Sequence, residues 1–194
     1  MGDALDASEQ ALYNFDIAPV HEAFLQVIED NQSPSSGDVP VVVPGGAGAC
    51  DDIAWTSAYP QITEMQYHYY GNTRTLANKW DSLVRYQENL IANAESSASN
   101  LHEGLAVCDQ FNDWLCGNAQ SCCSHTPAGS ACPVGAEMGG FNFVLGLRAM
   151  SQIATTLGNS SAATRYANYA EKATAEVSQI VPITSLRALL AVEP

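Results

Sequence analysis

Two short stretches of the sequence pair an acid with a tryptophan among loop-forming residues. Asp52 and Trp55 lie in CDDIAWTSAYP, and Asp113 and Trp114 lie in FNDWL. An aromatic ring can stack on the C–H face of a sugar ring, while a carboxylate accepts hydrogen bonds from sugar hydroxyls. These four residues are therefore candidate sugar-binding residues. The alternative is that the acids cap helices and the tryptophans belong to the core.

Other candidate groups carry weaker signals. Asp3 and Asp51 also lie near apparent helix or loop ends, where helix capping or solvation is the alternative. The histidines at positions 21, 68, 102 and 125 adjoin no Ser or Cys in a nucleophile motif, so we expect them to be structural or on the surface. The sequence contains no HExxH, P-loop or dinucleotide-binding motif. We therefore expect no metal ion and no cofactor.

The hydrophobic pattern predicts repeated helical hairpins. Apolar residues recur at helical spacing before and after two Gly-Asn pairs. Gly71 and Gly158 can adopt the left-handed conformation that ends a helix, and a hydroxyl residue (Thr73; Ser160 or Ser161) is predicted to cap the next helix. Two turns of the same kind predict two similar antiparallel hairpins.

The region before the first of these hairpins is predicted to contain two helical pieces and a long loop. Pro19 should break the first thirty residues into two helices. The stretch SPSSGDVPVVVPGGAGACDD (33–52) carries three prolines and several glycines. It is predicted to be a loop, and loops of this length in compact domains are usually functional or disordered.

Repeated hairpins bury their apolar faces by stacking on their neighbours, either in an open solenoid or in a closed toroid. In a toroid, the loops at one end converge on a central pocket. We therefore predict an all-α fold of antiparallel αα-hairpins with long irregular loops. This arrangement would place Trp55 and Trp114 across the mouth of one concavity, with Asp3 on its floor.

The charge balance excludes some classes of partner. Acidic residues outnumber basic ones by 21 to 7, which gives a net charge of −14. Such a chain is unsuited to nucleic acid or to anionic membrane surfaces. No apolar run approaches the ~20 residues of a membrane span. A neutral ligand such as a sugar is compatible with this charge.

Six cysteines point to an oxidising compartment. Five of them fall between positions 108 and 132, in a loop-like stretch, and the sixth is Cys50. An even number in such a context predicts disulfides and an extracellular location, with free thiols or a zinc knot with His125 as alternatives. The first ten residues do not resemble a signal peptide, so we expect a fragment of a secreted protein.

The order of the segments resembles the catalytic domain of the α-L-rhamnosidases of glycoside hydrolase family 78. That family has a D-E-x-x-G-W-x-G-D run, an AxYNFD helix, a VPxVxP loop, a D-x-x-W-x-x-A-x-P segment, a YYGD turn and a GDWL segment. The corresponding stretches here are MGD (1–3), ALYNFDIAP (11–19), VPVVVP (39–44), DIAWTSAYP (52–60), HYYGN (68–72), NDWL (112–115) and NFVLGLRAMSQIATTLGN (142–159). The resemblance covers about residues 1–177 and leaves 178–194 as a divergent tail.

This resemblance implies an (α/α)6 toroid, of which the chain would form about half, and a carbohydrate ligand that contains rhamnose. It implies that Asp3 binds rhamnose hydroxyls and that Trp55 and Trp114 belong to an aromatic wall around the sugar. Asp52 and Asp113 match acids that adjoin this wall.

The resemblance also implies that the catalytic residues lie outside the chain. The family's general acid would precede Met1, its general base would follow residue 194, and inversion requires both carboxyls. We therefore expect an inactive fragment of an inverting glycosidase, completed by the rest of a parent chain. The alternatives are another six-hairpin enzyme, such as an uronyl hydrolase or a polysaccharide lyase, or a non-catalytic helical-repeat or sugar-binding module.

Overall fold

The computed structural model describes residues 1–46, 52–96 and 133–180. These ranges contain helices and irregular segments, and no strand. The prediction of an all-α fold is confirmed. The helices are α1 (Gly2–Asn14), α2 (Ala18–Asp30), α3 (Ile53–Thr56), α4 (Ala58–Tyr70), α5 (Thr73–Glu95), α6 (Pro133–Thr156) and α7 (Ser160–Ile180).

Three consecutive hairpins, α1/α2, α4/α5 and α6/α7, form two layers. In the first layer α4 lies between α1 and α6, and in the second α5 packs beside α2 and against both α4 and α6. Helix α7 packs along α6, and the one-turn helix α3 contacts α1, α4 and α6. This arrangement agrees with the predicted part of an α/α toroid.

The two predicted Gly-Asn turns are confirmed. Gly71 ends α4 with a φ of 65°, and Gly158 follows α6 with a φ of 75°. A side chain strains the backbone in this left-handed conformation, so glycine is the natural residue at both positions.

The residue that caps each following helix is the asparagine of the turn. Asn72 Oδ1 accepts a hydrogen bond from the N–H of Thr75 at 3.2 Å, and Asn159 Oδ1 accepts one from the N–H of Ala162 at 3.1 Å. The hydroxyl caps predicted at residue 73 and at residue 160 or 161 were wrong. Helices α5 and α7 begin at residues 73 and 160, so these hydroxyl residues already lie in the first turn.

The predicted break between the first two helices is also confirmed. Helix α1 ends at Asn14, and Pro19 lies in the first turn of α2, where its missing N–H costs nothing. The hydroxyl of Tyr70, at the end of α4, accepts a hydrogen bond from the N–H of Ile17 at 3.1 Å and donates one to the carbonyl of Phe15 at 3.4 Å. The first turn therefore lies against the carboxyl end of α4.

The core lies between the two layers. The partly buried Trp80 packs on this core and meets Tyr166 edge-on, with ring centroids 6.4 Å apart. The predicted apolar stripes of the long helices supply most of the core. Its largest buried side chains are Leu25, Ile28, Tyr59, Ile62, Leu76, Leu83, Tyr86, Leu90, Phe143, Leu147, Met150 and Tyr166.

The described part of the predicted loop, residues 33–46, contains no helix or strand. It is held on α5: Gln32, just before it, donates a hydrogen bond to the carbonyl of Ser82 at 3.0 Å, and Asn89 donates one to the buried carboxylate of Asp38 at 2.5 Å. Gly37 lies so close to α5 that an added β-carbon would be 2.5 Å from the carbonyl oxygen of Arg85. The loop is therefore part of the packed structure.

Within the described ranges, no helix is both long enough and apolar enough to cross a membrane.

Replacing Gly71 by Ala should destabilise the protein by about 1 kcal/mol, because the alanine would have to adopt a left-handed conformation. Nothing lies within 4 Å of the added methyl, so this cost comes from the backbone alone. Urea denaturation of Gly71→Ala beside Gly46→Ala measures it. Gly46 has equal space and no such φ, so its variant should stay within about 0.5 kcal/mol of the parent chain. Equal stability of the two variants would contradict the assignment of this turn.

Candidate functional site

Trp55 lies at the amino-terminal end of the first helical layer. It belongs to α3, a one-turn helix that contacts α1 and α6, so its predicted place at the end of a loop was wrong. The side chain is half-buried. The backbone of Gly2, at the start of α1, packs against its indole ring: a β-carbon built on Gly2 would lie 3.1 Å from Cδ2 of Trp55.

Asp52 caps this short helix. Its Oδ1 accepts a hydrogen bond from the N–H of Ala54 at 2.9 Å, and the residue is only 1 % exposed. The structure therefore gives Asp52 the capping role that the sequence offered as the alternative. Its predicted contact with a ligand stays a prediction.

A buried hydroxyl pair fastens α3 to α5. The hydroxyls of Thr56 and Tyr86 are 2.8 Å apart, and Thr56 also donates a hydrogen bond to the carbonyl of Asp52 at 3.1 Å. Burial raises the pKa of Tyr86 far above its usual range; the hydrogen bond with Thr56 opposes this rise, and the charges of Asp38 and Asp52 add to it. Tyr86 is thus a neutral anchor for α3.

A second set of hydrogen bonds joins the end of α3 to α6. The Ser57 hydroxyl donates to Oδ1 of Asn142 at 3.0 Å and accepts from Nε2 of Gln61 at 3.0 Å. With the packing of Gly2 on one side and Tyr86 on another, α3 is held by α1, α5 and α6. A short helix with three such supports can keep an aromatic side chain in one place.

Asp3 is exposed in the first turn of α1, one residue after Gly2. A carboxylate is favourable there because it faces the positive end of the helix dipole. The structure therefore brings the turn that carries Asp3 against Trp55, as the sequence predicted for these two residues. Binding of a ligand by Asp3 stays a prediction.

The second half of the predicted site lies outside the described residues. This holds for Asp113 and Trp114, for Asp51 and for all six cysteines. The predicted approach of Trp55 to Trp114 and the predicted disulfides accordingly stay predictions.

Sequence reasoning missed an acid on the exposed face of α4. Glu64 lies 3.0 Å from Nδ1 of His68, and partial burial raises the pKa of the Glu64 carboxyl while the charge of His68 opposes the rise. On the neighbouring helix α6, Phe141 and Leu145 are 46 % and 43 % exposed, one helical turn apart. The i, i+4 spacing of Glu64 and His68 was the available signal, but such pairs are common on helix surfaces. In the described ranges, no cluster of three or more metal-ligating side chains occurs.

Comparison with known proteins identifies the family. Residues 1–180 match the bacterial α-L-rhamnosidase six-hairpin glycosidase domain, and the chain belongs to this family. The predicted resemblance is therefore confirmed. No curated protein matches the chain.

A solved structure shows the same fold. The α-L-rhamnosidase from Dictyoglumus thermophilum superposes with a TM-score of 0.70 over 92 % of this chain, at 24 % sequence identity. The chain spans 19 % of the length of that protein. The three hairpins described above therefore correspond to a limited part of a much longer relative.

Replacing Tyr86 by Phe should loosen α3, because the change removes the hydroxyl that meets Thr56. We expect a loss of about 1 kcal/mol in the free energy of unfolding and a shifted indole N–H signal of Trp55. Tyr59→Phe is the matched control, since it removes a buried hydroxyl that donates to Ser82 at 2.8 Å but leaves α3 untouched. Unfolding curves and ¹⁵N-labelled tryptophan spectra compare the two variants. A Trp55 signal that moves equally in both would contradict the anchoring role of Tyr86.

Proposed function

We propose that this chain is part of an inverting glycoside hydrolase that removes terminal α-L-rhamnose from glycosides or polysaccharides. The observation that carries the proposal is the placement of Trp55, in a family member, against the turn of α1 that bears Asp3. Both residues occupy positions where the sequence resembles the sugar-binding motifs of the rhamnosidases.

The chemistry of these side chains suits a neutral, partly apolar sugar. The indole of Trp55 offers a flat surface to the C–H groups and the methyl group of rhamnose, while the exposed carboxylate of Asp3 accepts hydrogen bonds from its hydroxyls. In this proposal Trp114 and Asp113 supply the second part of the wall. Asp52 supports the site as the cap of α3 and contacts the sugar from there.

Inversion needs two further carboxyl groups about 6.5–9.5 Å apart. One donates a proton to the glycosidic oxygen as its bond to the anomeric carbon breaks. The other removes a proton from the water whose oxygen bonds to that carbon from the opposite face. We place both outside residues 1–194, because the motif that carries the acid would precede Met1 and the base would follow the last residue. The mechanism requires neither a metal ion nor a cofactor.

We also propose that the rest of a parent chain completes the toroid. The described ranges supply three hairpins, whereas the family is named for six. Phe141 and Leu145 give α6 an exposed apolar strip that further helices could cover. The six cysteines favour disulfides and an extracellular location for this protein.

Truncating Trp55 should weaken sugar binding more than it weakens the fold. Trp55→Ala should reduce the affinity of the 194-residue chain for L-rhamnose by ~1–3 kcal/mol, as when an aromatic stacking partner is removed. Trp80→Ala is the matched control: it should cost about 3 kcal/mol of stability, because Trp80 packs on the core. Titration calorimetry and thermal unfolding of both variants measure the two effects. If Trp55→Ala unfolds the protein as Trp80→Ala does, or binds rhamnose normally, the sugar-wall assignment is wrong.

The isolated chain should not hydrolyse p-nitrophenyl α-L-rhamnoside, since neither half of the acid–base pair is present. Loss of one such group typically reduces the rate by about 10²–10⁴-fold. Release of p-nitrophenol by the purified chain gives the measurement. Turnover that Asp3→Asn abolishes would show instead that the catalytic machinery lies within these residues.

A further inference from the structure

The closest contact in the candidate site is between the backbone of Gly2 and the indole of Trp55. A β-carbon at residue 2 would lie 3.1 Å from Cδ2, 3.2 Å from Cε3 and 3.5 Å from Cε2 of Trp55. Carbon atoms in favourable contact are about 3.5–4.0 Å apart. Only glycine therefore allows this close approach without a shift of the indole or of α1.

The start of α1 has little freedom to move away. Met1 is only 7 % exposed, and its amino group donates a hydrogen bond to the carbonyl of Val41 at 2.5 Å. The Met1 carbonyl accepts hydrogen bonds from the N–H groups of Ala4 at 3.1 Å and Leu5 at 3.2 Å, within the first turn. Residue 2 thus lies between an anchored neighbour and the body of a helix.

The backbone of α3 has little freedom either. The Asp52 cap, the hydroxyl pair of Thr56 and Tyr86, and the bond from Ser57 to Asn142 hold both of its ends. If both backbones are held, a methyl group at residue 2 has to be accommodated by rotation of the Trp55 side chain. The half-exposed indole is the group that can turn.

We propose that Gly2 is a positioning residue that sets the tilt of the Trp55 indole and leaves the opposite face of its six-membered ring for the sugar. This inference rests on the proposed function, in which Trp55 stacks on rhamnose. Stacking depends on a parallel approach of the two rings, so a tilt of the indole lowers affinity without removing the aromatic group. Gly2 would thereby determine which face of the wall the rhamnose ring meets.

Tryptophan spectra of the 194-residue chain test the inference directly. The chain contains three tryptophans, so ¹⁵N-labelled tryptophan gives three indole N–H signals, and Trp55→Phe identifies the one from residue 55. Gly2→Ala should move the Trp55 signal and leave that of Trp80 in place. It should also reduce the affinity for L-rhamnose roughly tenfold, since small errors in placement carry penalties of this order.

Gly46→Ala is the matched control, because nothing lies within 4 Å of the methyl group that it adds. It should change neither the Trp55 signal nor the affinity. An unmoved Trp55 signal in Gly2→Ala, or an unchanged affinity while Trp55→Ala binds weakly, overturns the role of Gly2 and leaves the proposed function intact. If Trp55→Ala itself binds rhamnose normally, the proposed function fails and the inference fails with it.

A double variant covers the case in which Gly2→Ala folds poorly. Trp55→Phe replaces the indole by a smaller ring and makes room for the methyl group, so Gly2→Ala should cost less stability in that background than in the parent chain. An equal cost in the two backgrounds would show that the indole contact is not what requires glycine at this position.

Discussion

An αα-hairpin cannot bury the apolar stripes of its two helices by itself, and this constraint organises the molecule. Helix α4 is covered by α1 and α6 within its layer and by α2 and α5 from the other. Because the first helices of consecutive hairpins lie side by side, their amino-terminal ends meet at one end of the layer and their turns at the other. The candidate site follows from this packing: α3 fills the end where α1, α4 and α6 come together.

Much of the fold could be predicted because its signals are local. The apolar spacing of the long helices, the break at Pro19 and the Gly-Asn turns each depend on a few neighbouring residues. The caps of α5 and α7 were misassigned because asparagine and the following hydroxyl residue are both good caps, and the choice depends on where the helix begins. A one-residue shift of this kind is within the ordinary uncertainty of helix ends.

The candidate site could be predicted only in part. The pairing of Trp55 with the turn that carries Asp3 followed from the expected convergence of loops. Helix α3 was missed because four residues are too few to show a helical period, and its stability comes from distant partners such as Tyr86 and Asn142. The contact of Gly2 with the indole could not be read from the sequence, since it joins residues 53 positions apart.

The central claim is that rhamnose stacks on the Trp55 indole at the amino-terminal end of the helices. Intermolecular nuclear Overhauser effects between L-rhamnose and the ¹⁵N,¹³C-labelled chain test this most directly. We predict contacts from the sugar C–H and methyl protons to the six-membered ring of Trp55, and none to Trp80. Bound rhamnose that shows its contacts elsewhere, with none to Trp55, would contradict the account.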